Sequence, residues 1–62
     1  MSTLILIFTG PASQARAALG GLLQRYRSAY FTERSSIEYT VTADEATARE
    51  LARLPQWSAV PA

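Results

Sequence analysis

Leu4-Ile5-Leu6-Ile7-Phe8, five large apolar residues in a row between Thr3 and Thr9, decides how the chain folds. Successive side chains of a strand point to opposite faces, so a strand with one wet face alternates apolar and polar residues. This run does not alternate. Leu4, Leu6 and Phe8 go to one face, and Ile5 and Ile7 to the other. The run is far shorter than the roughly 20 apolar residues that a membrane-spanning helix needs. It reads as the central strand of a small sheet, apolar on both sides. In 62 residues there are helices enough to cover only one of those sides.

The flanking sequence supplies the rest of the sheet. Thr9-Gly10-Pro11 ends the strand, and Pro11 suits the first position of a helix because its missing N–H would be unpaired there anyway. That helix is expected to run to about Ser28, with Ala15, Leu19, Leu22 and Tyr26 as its buried stripe. Gly20 and Gly21 interrupt it. They read either as a close approach to a partner or as a local cost that lets Leu19 and Leu22 sit nearer the sheet. Tyr30-Phe31-Thr32 and Ile37-Glu38-Tyr39-Thr40-Val41 then form a hairpin around Ser35-Ser36. In its second arm Ile37, Tyr39 and Val41 face inward, and Glu38 and Thr40 face water. Thr42-Ala43-Asp44-Glu45 has the form of a capping box for a second helix, with Glu45 and Arg49 as a four-apart ion pair. Thr47, Leu51 and Leu54 make its stripe, and Pro55 stops it. Gln56 to Ala62 reads as a last short strand anchored by Trp57 and Val60, which Pro61 confines to a sheet edge.

The order strand, helix, strand, strand, helix, strand predicts an α+β fold of the ferredoxin-like βαββαβ type. Its four-stranded antiparallel sheet would carry two helices on one face. A second arrangement leaves the last residues outside and completes a strand-helix-strand-helix protomer by dimerisation.

Composition narrows the chemistry. A domain of about 60 residues buries only roughly 60% of its unfolded-chain surface, and cysteine is absent, so no disulfide staples it. Histidine and lysine are absent as well, which removes the usual proton shuttle and metal ligand and any Schiff-base lysine. Thr-Gly before a helix resembles an anion loop only in outline, with one glycine and no lysine. The expectation is a single domain, not an enzyme, with no cofactor and no metal. Net charge is +1, which leaves no strong electrostatic footprint for nucleic acid. Nothing basic precedes Leu4, so a secretory signal is not expected and a cytoplasmic protein is.

The second half also resembles a known family. Ile37-Glu38-Tyr39-Thr40-Val41-Thr42-Ala43-Asp44-Glu45-Ala46, then Glu50-Leu51-Ala52-Arg53-Leu54-Pro55 and Trp57-Ser58-Ala59-Val60-Pro61, is similar to the subtilisin propeptide and inhibitor family. That resemblance implies a ferredoxin-like fold, a serine protease as partner, and Ala59, Val60, Pro61 and Ala62 lying substrate-like in its cleft. The chain departs from the family at Ser35-Ser36-Ile37, where a Gly before an aromatic is usual.

Read from the residues, the function is non-enzymatic protein binding through the open sheet face; the family resemblance adds the role of a small inhibitor that also docks by its C-terminal tail. Ile5, Ile7, Tyr30, Trp57, Ala59, Val60, Pro61 and Ala62 are the expected contacts, with another protein or a second copy as partner. Alternatives are a small viral-type antagonist of a host protein complex, by analogy of class only, and an RNA-binding ferredoxin-like module. The last would use Arg25, Arg27, Tyr30 and Phe31, since exposed sheet aromatics can stack bases.

Overall fold

The element order in a computed structural model covering residues 1–62 is β1 (Ser2–Phe8), α1 (Ala15–Arg25), β2 (Tyr30–Glu33), β3 (Glu38–Ala43), α2 (Glu45–Leu51) and β4 (Trp57–Pro61), with a 3-10 turn at Ala12–Gln14 before α1. The sheet is four-stranded and antiparallel, in the order β2-β3-β1-β4. The apolar run is therefore central, as its lack of alternation predicts, and Pro61 falls on an edge strand. Residues 57–61 belong to the sheet, so the arrangement that leaves them outside it is not the one adopted.

Register sorts the side chains. Leu4, Leu6 and Phe8 oppose Val41, Tyr39 and Ile37 on β3, and Pro61, Ala59 and Trp57 on β4. These residues share one face, and both helices cover it. Leu4, Leu6, Phe8, Tyr39, Val41, Ala43 and Trp57 join Ala15, Leu22, Tyr26, Ala48 and Leu51 in a single buried cluster, with Leu19, Phe31, Ile37, Leu54 and Ala59 packed against it. The α1 stripe is the one the 3.6-residue period predicts. At its end the Tyr26 hydroxyl donates to Glu50 Oε1 of α2, 3.1 Å away. Burial, helped by that bond, pushes the Tyr26 phenol above its ordinary value.

Four local expectations are corrected. Regular α-helix starts at Ala15 and ends at Arg25, inside the Pro11–Ser28 span, because the first turn is 3-10 and Tyr26 leaves helical geometry. Leu54 packs beyond the end of α2 rather than within it. The cap of α2 is Asp44, not Thr42. The Asp44 carboxylate accepts from the Thr47 N–H at 3.1 Å, while Thr42 remains in β3 with its hydroxyl 3.2 Å from that of Thr3. Glu45 accepts from the Ser2 hydroxyl, and the ion pair formed joins Arg16 and Glu33 rather than Glu45 and Arg49.

Hydrogen bonding from Thr47 holds the Asp44 carboxyl below its ordinary value. A depressed carboxyl contributes stability above its unfolded pKa and loses it as the pH falls through the folded one. Asp44→Ala should therefore lower the melting midpoint by a few degrees at neutral pH, and by less in acid. Thr42→Ala should not reproduce that pH dependence. Thermal melts of both variants across the acid range are the check.

The glycines of α1 make no close approach. A Cβ at Gly20 or Gly21 would meet nothing within 4 Å, and neither has a positive φ. Gly20→Ala and Gly21→Ala should each stabilise the fold by up to about 1 kcal/mol, read as a higher denaturation midpoint. Gly10 differs: a Cβ there would sit 2.7 Å from Cζ of the Phe8 ring, so glycine lets the chain leave β1 across that ring.

Candidate functional site

The face of the sheet turned away from the helices is built by parity. In β1 it carries Thr3, Ile5 and Ile7. Register sets Thr42, Thr40 and Glu38 of β3 beside them, with Val60 and Ser58 of β4 on the other side of Ile5 and Ile7. Tyr30 and Thr32 of β2 extend the face past Thr42 and Thr40. One row thus reads Thr32, Thr40, Ile5, Val60 across all four strands. Ile5 and Ile7 are half-buried between their neighbours, Val60 is exposed, and Tyr30 is 72% exposed. The centre of the face is an apolar patch of Ile5, Ile7 and Val60, bordered by threonine hydroxyls. Glu38 is the charged side chain next to it, with Arg34 following Thr32 at the outer edge of the same face.

The expected contact residues divide between the two faces. Ile5, Ile7, Tyr30 and Val60 come together on the open one. Trp57 does not. It opposes Phe8 in the β1–β4 register, so its ring goes where Phe8 goes, into the core. There the centroids lie 5.0 Å from Phe8 and 5.9 Å from Tyr39, the tilted spacing that aromatic pairs favour. Ala59 also turns to the helix side and packs against the core. Ala59, Val60 and Pro61 pair with Leu6, Ile5 and Leu4, and the Ala62 N–H donates to the Thr3 carbonyl at 3.4 Å. The C-terminal segment is part of the sheet rather than a free tail.

The residues of the nucleic-acid alternative do not share a surface. Phe31 packs against the core, Tyr30 is on the opposite face, and Arg25 lies over the Tyr26 ring with its guanidinium carbon 5.4 Å from the centroid. On α2 and the turn after it, Ala46, Arg49, Glu50 and Arg53 line a shallow depression, where Glu50 is already engaged by Tyr26. No three metal-binding side chains are grouped together, and no helix is long and apolar enough to cross a membrane.

Thr3, Thr32 and Thr42 are the members of the open face that reading the strands singly misses. Their signal is two-residue parity with Ile5 and Thr40, usable only once the strands are placed in register. Compared with family models, curated proteins and solved structures, the chain finds no match.

Proposed function

We propose that the chain is a non-enzymatic, ferredoxin-like protein-binding module whose contact surface is the open face of its sheet. One observation carries the reading. Register puts Ile5, Ile7 and Val60 side by side on the face that no helix covers. Apolar side chains grouped in this way, with a polar border, mark interfaces more often than isolated exposed ones do. The fold part is supported by the placing of β1 and β3 at the centre with both helices on one side.

The occupant that fits is a protein presenting an apolar ridge. Threonine hydroxyls satisfy its rim, and Glu38 and Arg34 give that rim both signs of charge. A subtilisin-type protease gripping Ala59 to Ala62 as substrate would first have to strip those residues from β1, so the contact is assigned to the face and not the tail. An RNA would need aromatic rings on the two central strands, where this face carries Ile5, Ile7, Thr40 and Glu38.

A photo-crosslinking residue at Thr40, on the open face, tests the assignment against one at Arg49, on the outer side of α2. In extracts of the source cell, Thr40 should give a discrete crosslinked protein, competed by excess unlabelled chain, and Arg49 should not. Equal crosslinking from both positions, or none from Thr40, removes the reading.

A further inference from the structure

We propose that two copies of this chain pair antiparallel along β2, joining their sheets into one of eight strands. The inference stands on the backbone of the sheet edges and does not depend on the reading of the open face.

The two edges differ. Along β4 the Thr9 N–H donates to Gln56 and the Ala62 N–H donates to Thr3, at 2.9 and 3.4 Å. The alternation of an antiparallel ladder then turns Ser58 and Val60 toward β1 as well. Trp57, Ala59 and Pro61 are left facing outward. The Trp57 N–H is used by the Leu54 carbonyl at 3.4 Å, and Pro61 has no N–H to give. Ala59 is the one free donor, so this edge is closed to another strand.

Along β2 the Arg34 N–H donates to the Glu38 carbonyl at 2.9 Å. Alternation assigns Thr32 and Tyr30 to β3 in the same way. Phe31 and Glu33 are left directing both their N–H and C=O groups away from the sheet. Two residues with two groups each are a template for one more strand.

The side chains favour a second copy as that strand. With a two-fold axis through Thr32, Phe31 of each copy opposes Glu33 of the other, and the pairs exchange four backbone hydrogen bonds. Tyr30 then lies across from Arg34 of the second copy on the open face, a cation beside an exposed ring. Sliding the register by two residues in one direction sets Glu33 against Glu33, and in the other it leaves Glu33 opposite Ala29, whose N–H is used by Tyr26. The centred register alone uses every free group and keeps like charges apart. Because β4 is closed, assembly stops at the dimer.

So short an interface falls below the roughly 1,200 Å² of stable complexes, so half-dimerisation is expected at about 0.1 mM. Sedimentation should show the apparent mass rising toward double between about 10 µM and 1 mM. Glu33→Pro removes an outward N–H together with the exposed ion pair to Arg16, and Thr32→Lys sets two ammonium groups across the axis. Each should keep the chain monomeric with an unchanged far-UV spectrum.

The chain has no cysteine, so Thr32→Cys introduces a single thiol. Across the axis it meets its counterpart at a non-hydrogen-bonded site, where a Cα separation of about 4.5 Å admits a disulfide. It should oxidise to a covalent dimer roughly tenfold faster than Ser58→Cys does. A chain monomeric at 1 mM, equal oxidation of the two cysteine variants, or a dimer that survives both Glu33→Pro and Thr32→Lys overturns the proposal.

Discussion

Trp57→Ala should leave the chain largely unfolded at room temperature. The ring stands between Phe8 and Tyr39 in the core and is only 8% exposed. Removing a buried aromatic of this size costs about 3–5 kcal/mol, from lost transfer energy and from the cavity left behind. At roughly 0.05–0.15 kcal/mol per residue, a domain of this length is stable by about 3–9 kcal/mol in all. No disulfide offsets the loss. The amide spectrum should collapse toward random-coil dispersion, while Trp57→Phe, which keeps an aromatic in the site, should keep a dispersed spectrum. A Trp57→Ala chain with an unchanged denaturation midpoint would mean that the ring is a surface group after all.

The opposite result is expected one strand away. Ile5 and Ile7 occupy the centre of β1, where charge on the helix side would be ruinous, yet their side chains face away from the helices. Ile7→Glu would face Glu38 across the β1–β3 pair, and like charges directly opposed destabilise. The informative variant is therefore Ile5→Glu with Ile7→Lys, which sets the ammonium beside Glu38. It should remain folded, losing no more than about 2 kcal/mol of strand propensity and cross-strand packing. Binding to the partner should fall at least about a hundredfold, as when charges enter the desolvated centre of an interface. The β2-mediated dimer should persist. An unfolded double variant would place Ile5 and Ile7 in a core; a folded one that binds normally would remove the open face from the function.

The two variants also mark where the sequence is legible. The unalternating run at Leu4–Phe8 identifies the central strand because a fully apolar strand has nowhere else to go. Alternation from Ile37 to Val41, and the Ala15, Leu19, Leu22, Tyr26 spacing, each state a buried face outright. Trp57 is different. Which side its ring takes depends on the pairing of Phe8 with Trp57, and a one-residue slip would reverse it. No local signal sets that register. The cap of α2 escapes for another reason: Thr42 and Asp44 are both good caps two residues apart, and Thr42 is claimed by pairing with Thr3 and Tyr30. Long-range pairing decided between two acceptable local solutions. The closed and open edges are similarly invisible, since they depend on which backbone groups the ladder leaves over.

The strand order carries one more consequence, for the making of the protein. The strand at the centre of the sheet is synthesised first, and β4, which flanks it, is synthesised last. β1 cannot be enclosed until residues 57–61 have left the ribosome, so Leu4–Phe8 waits for its second neighbour while the residues between are made. Contacts that join such distant parts of the chain form slowly, and exposed apolar strands in incomplete chains are the species that aggregate. Folding here waits on β4, and the yield of folded protein will depend on how well β1 is shielded in the meantime.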